Sequence, residues 1–208
     1  TEIGLLYCEK CKLILHHVDE AASVAALLQT QVQGALRIST SVAFGRRVMA
    51  PLVMQFMRLN PGLQVDLSCD DRYVDLVEQG VDVAIRMGRL ADSTLGSRHL
   101  GLNPWVVVAS SDYLRQHGTP RTPHELTRHN CIGIRQGEEA YGTWRLTHGR
   151  GKQAVTEAVK TRGSLTTNDG EIAVNWALDG HGILMRAEWD IERYLKSGRL
   201  VQVLPQCF

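Results

Sequence analysis

The chain has 208 residues, 44% of them hydrophobic and 22% charged, a composition typical of a globular protein with one domain or two small ones. Its formal net charge of +1 excludes a bulk electrostatic footprint for nucleic acid or for an anionic membrane. No run of about 18 apolar residues occurs, so the sequence predicts no membrane-spanning helix. Because the five cysteines are odd in number and scattered, we expect a reducing compartment, the cytoplasm.

The first predicted element is one long helix. From Gly4 to Val32 there is neither proline nor a further glycine, and apolar or small residues recur at alternating steps of four and three. This heptad spacing predicts a helix of about 45 Å that pairs with another helix. An ordinary amphipathic helix packed on its own domain is the alternative, because Ala21 and Ala25 make a thin seam.

The next stretch predicts a strand, a turn and a helix. Residues 35–40 alternate apolar and polar side chains, and apolar residues recur at helical spacing over 48–59. Pro51 suits the first turn of that helix. The turn from Thr40 to Gly45 is therefore expected at the carboxyl end of a strand, beside a helix N-terminus whose unpaired N–H groups bind anions or small polar molecules.

Two more strands, at 63–69 and 81–85, are predicted on either side of a short helix at 72–79. Strands and helices that alternate with short connections indicate a parallel sheet with right-handed crossovers. Its ligand crevice lies beyond the carboxyl ends of the strands. Arg86 and Gly88 fall at that end, as do Thr40 and Ser41.

A second unit is indicated after the polar, proline-containing region 110–129. Short strands are predicted at 131–135 and 144–147, followed by a hairpin turn into a strand at 153–159. The strand-to-helix pattern then recurs at 164–178, where Asn168-Asp169-Gly170 reads as a capping turn and Glu171 lies three residues after Asn168, as in a capping box. A strand at 183–185, a helix at 188–196 and a strand at 200–204 follow, which implies two similar α/β units.

Several short sequence segments occur in a specific order. They are Gly34 to Ser39, Ala50-Pro51, Asn60-Pro61, Asp71-Arg72, Gly80 to Gly88, Thr122-Pro123, Trp144-x-Leu146, Asn168-Asp169-Gly170, Gly180-x-Gly182-Ile183 and Ser197 to Leu200. In this order and spacing the chain resembles the effector-binding domain of LysR-type transcriptional regulators over essentially its whole length.

The resemblance implies an α/β fold of two Rossmann-like subdomains with a central cleft, like that of type 2 periplasmic binding proteins, and an N-terminal linker helix. Residues 1–33 would form the linker and dimerisation helix, 34–109 with 186–208 the first subdomain, and 110–185 the second. It also implies a homodimer or homotetramer that binds promoter DNA through a winged helix-turn-helix preceding this chain, with no membrane partner.

The predicted effector site combines the two strand-to-helix junctions with two arginines that end strands. Its residues are Thr40, Ser41, Val42, Arg86, Gly88, Arg135, Thr167, Asn168 and Asp169. Helix N-termini favour negative charge and arginine forms bidentate bonds to carboxylates, so a small carboxylate is the expected effector. Asp169 either caps its own helix or selects a ligand that carries a hydrogen-bond donor. The alternative for both junctions is that they are merely well-capped helices.

Functions of other classes find less support. His124-Glu125 with His129 lacks the four-residue histidine spacing of a zinc-binding helix, and no nucleophile motif occurs, so no enzyme, cofactor or metal site is predicted. A periplasmic solute-binding protein of a transporter would share the cleft architecture and is the rival function. The sequence does not identify the effector, the target genes or the direction of regulation.

Overall fold

The computed structural model describes residues 1–26, 32–71, 76, 79–88, 95–135, 142–149 and 154–207 and divides into two compact units, Thr1–Leu90 and Ala91–Phe208. Unit 1 contains α1 (Glu2–Ala26), β1 (Gln33–Thr40), α2 (Val42–Phe44), a π-helical turn (Gly45–Met49), α3 (Ala50–Leu59), β2 (Gly62–Cys69) and β3 (Val83–Ile85). Unit 2 contains β4 (Trp105–Ser110), α4 (Ser111–His117), a 3-10 helix (Pro123–Arg128), β5 (Gly133–Ile134), β6 (Thr143–His148), β7 (Val155–Lys160), β8 (Thr166–Thr167), α5 (Gly170–Leu178), β9 (Leu184–Ala187), α6 (Glu188–Lys196) and β10 (Leu200–Val203). None of the helices in these ranges is both long enough and apolar enough to cross a membrane.

The sheet of unit 1 has the order β2-β1-β3, and both pairings are parallel. The predicted parallel sheet is therefore confirmed. β1 is exposed where it starts and buried at its carboxyl end, where Ile38, Ser39 and Thr40 lie inside the unit. The helix predicted at 72–79 falls largely on 72–75 and 77–78, which lie outside the described residues.

The helical region after β1 begins earlier than predicted. Pro51 does lie in the first turn of α3, but helical backbone already starts at Val42. Proline has no N–H to donate and its ring crowds the carbonyl one turn back, so an α-helix does not continue unchanged through it. The turn before it is π-helical, with the N–H of Ala50 bonded to the carbonyl of Gly45. A Cβ at Gly45 would collide with Sγ of Cys69, so a larger residue there would require the Cys69 side chain to move.

The principal sheet of unit 2 has the order β10-β4-β9, with antiparallel pairings. Val106 and Val108 pack on one face of β4, with apolar residues of α5 and α6. Val107 and Ala109 pack on the opposite face, with a cluster that includes Tyr113. Burial on both faces explains why β4 is a continuous apolar run rather than an alternating one.

The division between the units differs from the predicted subdomain boundaries. The prediction grouped 34–109 with 186–208 in one subdomain, whereas unit 2 spans Ala91–Phe208. The physical reason is a shared core: β4, β9 and β10 pair with one another, and their side chains pack against residues from 113 to 183.

The remaining elements agree with the sequence in type and differ at their ends. β6 and β7 form the predicted antiparallel pair, and residues 150–153 of its turn lie outside the described residues. α1 is described to Ala26, and 27–31 of the predicted longer helix lie outside the described residues. Leu5, Tyr7 and Ile14 of α1 are exposed, and their pairing with another helix stays a prediction.

Candidate functional site

The first predicted junction lies at the carboxyl end of β1. Thr40 is 0% exposed, and its Oγ1 has no hydrogen-bond partner in the described part of the chain. Ser41 precedes α2 with extended backbone; its carbonyl accepts the N–H of Gly45 at 2.8 Å, while its side chain caps no helix N–H. A buried hydroxyl that lacks a partner carries a desolvation cost, which a bound water or ligand oxygen would relieve.

A carboxylate of the chain itself occupies the helix start in unit 1. The N–H of Val42, predicted to face an effector, donates to Oδ1 of Asp71 at 3.0 Å. Asp71 was not predicted as a site residue. Its position gives a usable signal, because it follows β2 and the carboxyl ends of adjacent parallel strands lie at one edge. This helix end therefore offers an anion fewer free donors than the sequence suggested.

Arg86 lies where the sequence placed it, at the carboxyl end of β3. Its Nη2 donates to Oγ of Ser39 at 2.8 Å, and its Nη1 donates to the carbonyl of Ile85 at 3.4 Å. Because Ser39 is buried near the carboxyl end of β1, these bonds hold the half-buried guanidinium at that end of the sheet. Gly88 is exposed and has φ 99°, a conformation that favours glycine.

The second predicted junction lies where β5 and β8 end side by side. The N–H of Arg135 donates to the carbonyl of Thr167 at 2.8 Å, and the Arg135 side chain is exposed. Thr167 is 7% exposed, and its Oγ1 accepts the N–H of Asp169 at 3.0 Å. The Thr167 hydroxyl thus orders the turn between β8 and α5.

Asp169 caps α5. Its Oδ1 accepts the N–H groups of Glu171 at 2.7 Å and Ile172 at 3.2 Å. The capping box assigned to Asn168 is therefore wrong by one residue, because Asp169 has the extended backbone of the cap position and takes both bonds. Of the two roles considered for Asp169, the structure shows helix capping. Asn168 is exposed.

Sequence reasoning missed Arg186, a charged residue buried next to α5. It lies in β9 and is 8% exposed. Its Nε–H donates to Oδ2 of Asp190 at 2.6 Å, and its guanidinium lies against Gly170, the first residue of α5. A signal was present: an arginine within the apolar run 183–187, with an aspartate four residues later at one helical turn.

A further polar cluster lies at the entry to β5. The hydroxyl of Tyr113 bonds with Nδ1 of His129 at 3.2 Å and accepts the N–H of Asn130 at 2.9 Å. Burial raises the pKa of Tyr113, although the bond from Asn130 opposes the rise. Burial, with a smaller effect of the nearby His117, lowers the pKa of His129. The cluster includes none of the predicted site residues.

Two cavities also lie away from the predicted residues. In unit 1, a groove of about 280 Å³ beside α3 is lined by Leu36, Ile38, Met49, Leu52, Val53, Phe56 and Val83. In unit 2, a cavity of about 230 Å³ is lined by Cys131, Gly133, Gly142, Thr161, Arg162, Gly163 and Thr166. Among the residues that the structure describes, no cluster of three histidine, cysteine or acidic side chains could hold a metal ion.

Comparison with known proteins gives a consistent result. The model of the LysR substrate binding domain matches residues 29–208. The Escherichia coli K12 activator TtdR is 35% identical over 206 residues, which cover 99% of this chain and 65% of TtdR. The regulator DmlR of the same strain is 36% identical over 208 residues, which cover 100% of this chain and 66% of DmlR. The chain thus spans about two thirds of the length of these relatives.

Solved structures agree. The LysR-type regulator CrgA of Neisseria meningitidis matches with a TM-score of 0.74 and 29% identity, over 100% of this chain and 69% of CrgA. The full-length Vibrio cholerae virulence activator AphB matches with a TM-score of 0.75 and 26% identity, over 100% of this chain and 69% of AphB. The fold predicted from the sequence, the two-subdomain α/β fold of periplasmic-binding-protein type, is confirmed.

Proposed function

Since the chain belongs to the LysR substrate-binding domain family, we propose that it senses a small carboxylate effector for a LysR-type transcription regulator. The whole regulator would act on promoter DNA in the cytoplasm as a homodimer or homotetramer. The observation that carries the choice of a carboxylate is Arg86. Its guanidinium is half-buried and bonded to the buried Ser39 at a strand end, as expected of a group that binds an anion.

We assign effector contacts to both junctions. In unit 1 the available groups are the Thr40 hydroxyl, which has no partner among the described residues, the Ser41 side chain, and Arg86. In unit 2 they are the exposed side chains of Asn168 and Arg135 at the start of α5. Because carboxylates of the chain already take the N–H groups of Val42, Glu171 and Ile172, side chains rather than helix ends supply most of the donors.

Binding would regulate transcription through a shift between arrangements of the protein. A ligand shifts such an equilibrium only by as much as its affinity differs between the two states. We propose that α1 transmits the shift to DNA-binding domains that precede this chain. The rival function, transport, is not favoured, because the matched relatives are transcriptional regulators.

A thermal-shift screen of small carboxylates and aromatic acids tests this function, since a ligand that binds only the folded state raises its stability. Arg86→Ala should then lower the affinity for the compound that binds by roughly 10- to 100-fold in calorimetry, the range expected for loss of a hydrogen bond to a charged group. Arg58→Ala, which removes an exposed arginine from α3, is the matched control. Equal affinities of the two variants would remove Arg86 from the site.

A further inference from the structure

Arg186 is the one arginine among the described residues that is almost completely buried. It lies opposite Val106 in the pairing of β9 with β4. Val106 and Leu184 belong to the cluster that packs against α5 and α6, and alternate residues of a strand share a face. The side chain of Arg186 therefore extends between the starts of α5 and α6, where a charged group needs partners.

The Nε–H of this guanidinium already has a partner. Its Nε–H donates to Oδ2 of Asp190 at 2.6 Å, and Asp190 is 1% exposed. A guanidinium carries five N–H donors. Within the described residues the guanidinium makes one hydrogen bond, the bond from Nε–H to Asp190. The donors on Nη1 and Nη2 therefore remain for other acceptors. Neither nitrogen is among the fully buried polar atoms that lack a partner in the described residues, so both keep some access to solvent.

Nη1 and Nη2 lie at the N-terminus of α5. A Cβ on Gly170 would collide with both of these atoms and with Cζ of Arg186, so only glycine permits this position. α5 has nine residues, and a helix start favours negative charge. The Asp169 carboxylate already accepts from Glu171 and Ile172, so Arg186 supplies the donors that the helix end no longer offers.

The surrounding charges select the kind of anion. Asp190 binds the guanidinium, and Asp169 caps the adjacent helix, so positive charge is not in excess here. A ligand would be held by directed hydrogen bonds, and two parallel N–H groups match the two oxygens of a carboxylate. Phosphate carries more negative charge at neutral pH, so the two aspartates would repel it more strongly than they repel a carboxylate.

We propose that Arg186 recognises a carboxylate group of the effector in unit 2, through bonds from Nη1 and Nη2 beside Gly170. This inference rests on the proposed function and assigns the main carboxylate contact of the second junction to Arg186 instead of the exposed Arg135. Gly170 is a positioning residue, because its missing side chain leaves room for the guanidinium.

Side-chain NMR of the ¹⁵N-labelled chain tests the proposal with acetate as the probe. The Nε–H signal of Arg186 is assigned by its loss in Arg186→Gln. Acetate should shift this signal and the Gly170 amide saturably, and phosphate should shift them less. The exposed Arg145 of β6 is the internal control. A shift of Arg186 no larger than that of Arg145, or an equal response to phosphate, would overturn the assignment.

Two variants keep the result independent of folding. Arg186→Lys retains the charge but not the planar guanidinium, so the affinity for acetate, followed at the Gly170 amide, should fall about tenfold. Gly170→Ala displaces only the far end of the Arg186 side chain and should abolish the acetate response while the other amide signals stay in place. An unchanged acetate response in Gly170→Ala would contradict the proposed position.

The outcome is separable from that of the proposed function. If acetate shifts Arg186 but no carboxylate alters the regulator, the binding site stands and the sensor function fails. If a carboxylate alters the regulator while the Arg186 signal does not move, the function stands and this inference fails.

Discussion

Removal of the cap of α5 gives the sharpest test of the local structure. Asp169→Ala deletes the oxygen that accepts the N–H groups of Glu171 and Ile172. Loss of such a cap costs about 1 kcal/mol. Loss of a negative charge at a helix N-terminus adds roughly 0.3 to 1 kcal/mol. We therefore expect unfolding free energy to fall by about 1.5 kcal/mol, which lowers Tm by roughly 5 °C for a domain of this size.

Urea denaturation followed by circular dichroism measures this change. Asp169→Asn keeps an acceptor oxygen and should lose only the charge contribution, about 0.3 to 1 kcal/mol. Asp179→Ala is the matched control, because Asp179 is exposed at the C-terminus of the same helix, where its charge opposes the helix dipole. If Asp169→Ala is no more destabilising than Asp179→Ala, the capping role is refuted.

Three further predictions concern unit 2. Gly163→Ala should prevent folding or strongly lower the free energy of unfolding measured by urea titration, because its Cβ would collide with the backbone carbonyl of Cys131. Gly101→Ala, which has open space around it, should leave the free energy of unfolding unchanged. Burial raises the pKa of Cys131 to about 12. At pH near 8 a thiol reagent should therefore label the exposed Cys8 quickly and Cys131 only after unfolding. Equal labelling rates of the two cysteines would contradict the burial of Cys131. Burial lowers the pKa of His129 below its usual 6.5. The stability linked to this group is therefore present above that pH and is lost as pH falls toward the lower pKa of the folded state. His129→Gln should flatten the fall in unfolding free energy between about pH 7.5 and 5.5, and an unchanged slope would refute this prediction.

The fold could be predicted from the sequence where the hydrophobic periodicity and the residues that start and end helices and strands agree. The alternation that ends at Thr40, the apolar run of β4, and α6 at Glu188–Lys196 all carry strong local patterns. The early helix start at Val42 could not be predicted, because it depends on a π-helical turn and on the close approach of Gly45 to Cys69. The division at 90–91 depends on which distant segments share a core, and local patterns do not show that.

The places of several predicted site residues in the fold could be predicted from the sequence, and their hydrogen bonds could not. Arg86 and Thr167 lie at strand ends, as the βα pattern required. The sequence could not show that Asp71 accepts the N–H of Val42, because that bond joins residues 29 positions apart. Arg186 was missed although its spacing from Asp190 is visible in the sequence, because its burial also depends on the space beside Gly170.

The central claim is that a small carboxylate bound by this chain changes the state of a DNA-binding regulator. Small-angle scattering of the full-length protein on promoter DNA, with and without the carboxylate found in the thermal-shift screen, tests it most directly. We predict a ligand-dependent change in quaternary shape that Arg86→Ala shifts to higher ligand concentration and Arg58→Ala leaves unaltered. Identical scattering with and without a saturating, bound ligand would contradict the account.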